Sequence, residues 1–168
     1  MSSTWQQISS TVVAEFSDVK DVGEITTITV RLLMAAILGG ILGFEREHRG
    51  KAAGVRTHML VAIGSALFVL IPLQAGISDA EMSRVMQGII TGIGFLGAGA
   101  ILKGHDEKDL KGLTTAAGIW VTSAIGVAAG LGRESLAILC TFLALVVLIA
   151  IPKVVDVLEA RHAAKEKQ

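Results

Sequence analysis

The chain has 168 residues, 52% of them hydrophobic and only 18% charged, against about 45–50% apolar and about 25% charged in soluble domains; with a mean hydropathy of +0.64 this excludes disorder and argues against an ordinary soluble domain. Fifteen Lys and Arg balance fifteen Asp and Glu, so there is no general basic field for phosphate backbones and nucleic acid is not an expected partner. Nineteen Gly beside two Pro and no Tyr describe backbones that approach closely, and the single cysteine, Cys140, permits no internal disulfide.

Residues 1–24 are polar and acidic, with Glu15, Asp18, Asp21 and Glu24 against Lys20 alone. Trp5, Ile8, Val12, Val13 and Phe16 are spaced for one loose apolar helix face, which predicts a helix lying on the outer surface or a partly ordered leader. A cleavable signal peptide does not fit, because a basic start and an apolar core are missing.

A first span is predicted near 25–44. Leu32 to Phe44 is too short to cross about 30 Å of hydrocarbon, so it borrows Ile25 to Val30 and brings Arg31 inside. By helix rise Arg31 then lies about 9 Å from the outer boundary, where it either snorkels to the headgroups or pairs with an outer carboxylate. Glu24 lies two turns away on the same face, and Asp79 or Glu81 could approach from the second loop, in the neighbourhood of Arg84.

Further spans are predicted near 57–75, 84–102, 113–131 and 134–152, those at Val85–Leu102, Leu113–Leu131 and Ser135–Ile151 containing no charged residue. The fold class is therefore all-α, a polytopic membrane bundle of about five helices. Its parts are an extracytoplasmic segment 1–24, a transmembrane domain 25–152 and a short charged tail 153–168. Eleven of the fifteen Lys and Arg fall in the first loop, the loop between the third and fourth spans, and the tail. Because cytoplasmic loops are enriched in these residues, the N-terminus is expected outside and the C-terminus in the cytoplasm.

Glycine dominates the third span, where Gly88, Gly92, Gly94, Gly97 and Gly99 crowd one short stretch. Each Gly weakens a helix interior by about 1 kcal/mol in water, so the run is either a face for close helix packing or a point where the helix breaks. Gly88 and Gly92 form a GxxxG pair, as do Gly39 with Gly43 and Gly126 with Gly130. Gly92 to Gly97 also matches GxGxxG, but that fingerprint needs a preceding strand and an acidic residue about 20 positions on. Here it lies within an apolar run with no such carboxylate, so nucleotide binding is not expected.

The cytoplasmic side brings together Glu45-Arg46-Glu47-His48-Arg49, Arg56-Thr57-His58 across a short glycine-bounded turn, and Lys111-Gly-Leu-Thr114-Thr115, whose hydroxyls suit capping of the fourth span. These residues either mark the inner membrane boundary or form a polar docking site of Glu45, Arg46, Arg56 and His58 for a partner helix end or an anion. The four histidines show no zinc-ligand spacing. No nucleophile and base sit in a triad setting, so neither enzyme chemistry nor a cofactor is expected. Asp106, Glu107 and Asp109 could hold magnesium weakly, although no span carries the interior carboxylates that a hard dication prefers.

Arg31 to Glu47, Ala53 to Val61, Gly92 to Gly99 and Lys111 to Gly126, in that order, closely resemble the MgtC/SapB family of bacterial inner-membrane proteins over about residues 25–152. The resemblance implies a multi-helix membrane domain, here without the ACT-like soluble domain that often follows it. It also implies a role linked to growth in low magnesium and, in pathogens, to survival inside macrophages, with the F-type ATP synthase as a proposed membrane partner. Two functions are expected from these readings together. The first is modulation of ion homeostasis through helix contacts with itself, a dimer being favoured, or with a partner in the lipid bilayer; the second is ion transport by an oligomer.

Overall fold

Two helix starts follow directly from side chains that replace missing backbone partners. Ser3 and Gln6 form a reciprocal capping box at the head of α1 (Thr4–Glu15), and Ser78 and Glu81 do the same for α4 (Asp79–Gly99). Between and after them run α2 (Val22–His48), α3 (Val55–Gln74), α5 (Leu113–Gly130) and α6 (Glu134–Lys165), with a two-residue antiparallel ladder of β1 (Leu102–Lys103) and β2 (Leu110–Lys111) ahead of α5. These elements come from a computed structural model that describes residues 3–16, 21–103 and 110–165. Asp106, Glu107 and Asp109 lie outside the described residues, as do Asp18 and Lys20.

The chain divides into Met1–Val30 and Arg31–Gln168. In the first unit none of the described residues is buried, and the apolar positions Trp5, Ile8, Val12, Val13 and Phe16 of α1 are all exposed. A helix forms where one was expected, with its apolar side uncovered by protein.

The second unit is a helical bundle whose core is made of small residues. Ala35, Leu38 and Leu42 of α2 pack with Ala62 and Ala66 of α3, Ile125, Ala128 and Ala129 of α5, and Ala137 of α6. Close backbone approach is what glycine and alanine permit in a membrane, where packing replaces the hydrophobic effect as the source of helix association. A smaller cluster of Ala53, Ile93 and Ile119 ties the α2–α3 turn to α4 and α5.

Two of the GxxxG pairs set this geometry. A Cβ on Gly39 would lie 2.7 Å from the His58 carbonyl, and one on Gly43 would lie 2.6 Å from Val55 Cα, so α2 runs antiparallel to α3 at backbone contact. On the other side of α3, Gly126 abuts the main chain of Ala62 and Gly130 that of Ala66. Equal steps in both helices make α3 and α5 parallel neighbours, and α4 must return the chain from the end of α3 to the start of α5.

Among the described residues four helices, Val22–His48, Val55–Gln74, Leu113–Gly130 and the Glu134–Glu159 part of α6, are long and apolar enough to cross a membrane. α4 is not among them, because Asp79, Glu81, Arg84 and Gln87 occupy its first turns and its glycines add little hydropathy. It nevertheless traverses the bundle from one end to the other, as the parallel packing of α3 and α5 requires. α4 is continuous from Asp79 to Gly99, so its glycines do not break it. The last helix passes through Pro152 to Lys165 where a short tail was expected to begin.

Glu81 accepts hydrogen bonds from the Ser78 N–H and hydroxyl, at 2.9 and 2.8 Å, and these hold its carboxyl below the ordinary value of 4.5. A depressed carboxyl contributes stability above the unfolded value that is lost as pH falls through the folded one. Acidification is therefore expected to fray the first turn of α4 below about pH 4.5. NMR of the Glu81 side chain should show a midpoint under that value, and Ser78→Ala should move it back up.

Candidate functional site

Charge is concentrated where α2 ends. Successive helix turns place Glu45 and Arg49 on one side, and Arg49 Nε lies 2.6 Å from Glu45 Oε1. Arg46 Nη1 lies 3.6 Å from the other carboxylate oxygen. Glu45 is 9% exposed and Arg46 only 2%, so one buried carboxylate serves two guanidinium groups. Arg46 Nε and Nη2 have no hydrogen-bond partner among the described residues and are shielded from solvent.

The turn into α3 is stapled from both sides. Gly54 is the N-cap and offers no side chain, and the vacant role is taken by Glu47, whose Oε2 accepts from Val55 N–H at 2.9 Å. His58, 1% exposed, donates from Nδ1 to the Gly54 carbonyl at 3.0 Å, and Nε2 is its other ring nitrogen. That nitrogen is buried without a hydrogen-bond partner among the described residues. Its ring lines an apolar cavity of about 370 Å³ that runs past Gly118, Val121, Cys140 and Ala144.

The start of α5 completes this end of the bundle. Gly112, at φ 98°, is the N-cap and provides no side-chain hydrogen bond, so the expected capping by Thr114 or Thr115 is corrected. A Cβ at Gly112 would run into the Ala100 carbonyl, which reserves the position for glycine on space as well as on backbone angle. Thr115 is buried and Thr114 is exposed at the mouth of two cavities. One is the apolar cavity beside His58; the other, of about 640 Å³, is bounded by Arg46, Arg49, Lys51, Thr114 and the α6 residues Val147 to Pro152.

Of the expected docking residues, Glu45, Arg46 and His58 come together in the buried region, whereas Arg56 and Thr57 are exposed on the first turn of α3 and Lys111 is exposed in β2. Arg49 takes the place expected for Arg56. Its i,i+4 spacing from Glu45 was the available signal. Sequence reasoning also missed the buried hydroxyl pair of Ser65 and Ser123, whose Oγ atoms are 2.8 Å apart between α3 and α5.

At the opposite end, Arg31 donates from Nη1 to the Gly130 carbonyl at 3.1 Å. A cation at the C-terminus of α5 meets both an orphan carbonyl and the negative end of the helix dipole. Of the two expectations for Arg31, snorkelling or a carboxylate partner, the second gives way to a backbone carbonyl, and Glu81 is engaged by Ser78 instead. Gly132, at φ 72°, allows this contact, since a Cβ there would sit 2.5 Å from Arg31 Nη2. Arg84 is exposed on α4.

The α4 glycines divide. Gly97 is buried, with a Cβ position 3.7 Å from Ala116, whereas Gly88, Gly92, Gly94 and Gly99 face open space. Gly88 and Gly92 line an apolar cleft of about 560 Å³ with Leu60, Gly64 and Phe68 of α3. Packing within the chain does not use these two, unlike the other GxxxG pairs.

Several apolar helices of spanning length, with small-residue crossings and polar groups gathered at the helix ends, define a polytopic α-helical membrane protein. The sequence profile of the MgtC family matches residues 32–157, and the chain belongs to that family. Its relatives include SrpB of Synechococcus elongatus, 42% identical over 75% of this chain and 75% of SrpB. YhiD of Escherichia coli K12, which carries the provisional name of a magnesium transporter, is 44% identical over 71% of this chain and 58% of its own length. MgtC of Brucella abortus is 44% identical over 74% of this chain and 51% of its own length. The chain thus spans little more than half of two of these relatives. No solved structure matches it significantly.

Proposed function

We propose that this protein is a bacterial inner-membrane regulator of magnesium-linked ion homeostasis that acts by helix contact and without catalysis, its α4 seating against α4 of a second copy. The observation that carries this reading is the open pair Gly88 and Gly92 in its apolar cleft. The other two GxxxG faces each hold a neighbouring helix at backbone distance, and an α4–α4 crossing fills the third in the same way with a two-fold, self-matching surface. The link to magnesium rests on family membership and on the provisional name of YhiD. The orientation that fits the charge distribution places the N-terminus outside and the α2–α3 turn in the cytoplasm.

Gly92→Leu tests the contact cleanly, because nothing lies within 4 Å of the added Cβ inside the chain. In membranes, Gly88→Cys in a Cys140→Ala background is expected to cross-link as a dimer, and Gly92→Leu is expected to abolish that product and the ability to support growth at limiting magnesium. Dimers that survive Gly92→Leu, or full growth from the monomeric variant, would remove the reading. Gly97→Leu is a poorer probe because Gly97 is buried on Ala116. Ion transport, the activity in the name of YhiD, is the second reading. It requires magnesium flux into liposomes that Arg84→Ala diminishes.

A further inference from the structure

The cavity at the end of α2 has the makings of an anion site. Arg46, Arg49 and Lys51 line it, as does Thr114 in the first turn of α5. The N-cap of that helix is Gly112, so no N-cap side chain takes up its leading N–H groups, and the positive end of an 18-residue dipole opens there. An independent observation is the state of Arg46: it is 2% exposed, and Nε and Nη2 lack any acceptor. Glu45 neutralises one of the two guanidinium groups. Glu47, the other nearby carboxylate, is bound to Val55 N–H. Arg46, Arg49 and Lys51 against Glu45 and Glu47, which stays anionic while it accepts from Val55 N–H, leave one cation in surplus, and a buried guanidinium whose Nε and Nη2 lack acceptors is costly.

The walls identify the source of that acceptor. Val147, Leu148, Ile151 and Pro152 of α6 form the other side of the cavity. Thr114, Val147 and Leu148 also line the apolar cavity of about 370 Å³ beside His58, so the cationic cavity and the apolar slot share these three wall residues. A free oxoanion has no use for the slot, whereas an anionic phospholipid fills both parts. We propose that Arg46, Arg49, Lys51 and the N-terminus of α5 bind a phosphate group, and that it belongs to an anionic phospholipid whose acyl chain enters the slot between α5 and α6.

Native mass spectrometry of the detergent-purified chain tests this with phosphatidylglycerol, phosphatidylcholine and inorganic phosphate as probes. Phosphatidylglycerol is expected to stay bound where phosphatidylcholine leaves. Because Arg46 is buried and its loss could unfold the chain, the test uses exposed positions, and Lys51→Glu or Thr114→Glu is expected to weaken retention about tenfold, the effect of one charge-assisted contact. Gly118→Leu, which closes the slot and leaves every charge in place, is expected to weaken the lipid but not inorganic phosphate. Equal retention of both lipids, or indifference to Lys51→Glu and Thr114→Glu, overturns the site. Displacement of the lipid by inorganic phosphate with no effect of Gly118→Leu overturns the lipid assignment. The readout is repeated on Gly92→Leu, so it does not depend on the dimer.

Discussion

Gly126→Leu is expected to destabilise the bundle by about 3 kcal/mol or more, at the top of the range for overpacked cores. The first added carbon already meets the carbonyl and Cα of Ala62, which are main-chain atoms and cannot rotate away. α3 and α5 would have to separate along their whole parallel contact, undoing the packing at Gly130 and the Ser65–Ser123 hydroxyl pair as well. The measurement is thermal unfolding in detergent followed by circular dichroism, beside Gly92→Leu. Both substitutions place the same side chain in a GxxxG pair, yet Gly126→Leu should lower the midpoint far more, since Gly92→Leu removes only the contact with a second copy. Equal midpoints would mean that α3 and α5 do not pack on this face.

Glu45→Gln is expected to cost about 3–5 kcal/mol, because it removes the carboxylate that the buried Arg46 shares with Arg49. Shape is conserved, so the loss reports charge and not a cavity. Arg49→Gln should cost far less, about 1 kcal/mol or below, since the Arg49 side chain is 34% exposed and recovers hydration. Adding Arg46→Met to Glu45→Gln should restore part of the stability, as an apolar side chain of similar volume needs no counter-charge. Strict additivity of the two substitutions in a double-mutant cycle would show that the pair is not coupled.

How far the sequence could be read depends on what kind of partner each residue found. Gly39 with Gly43 and Gly126 with Gly130 were legible as packing faces, and α3 is what fills both. Gly88 and Gly92 carry the same motif and are open, because spacing records that a face is narrow and not which neighbour arrives. The bundle itself was legible from hydropathy, although α4, whose first turns carry Asp79, Glu81, Arg84 and Gln87, had to be carried across by topology. Arg31 pointed towards carboxylates because only side chains are visible in a sequence. Its partner, the Gly130 carbonyl, is a backbone group created when α5 ends. The same holds for the first turn of α3, where Glu47 and not a neighbouring hydroxyl satisfies Val55.

The parallel seating of α5 on α3 also orders events during synthesis. α3 emerges with α2 as its companion, and α2 covers the side that faces Gly39 and Gly43. The main-chain strip at Ala62 and Ala66 awaits Gly126 and Gly130, which leave the ribosome only after the whole of α4 and its hairpin. A chain interrupted before Gly126 therefore lacks the two glycines that cover this strip of α3.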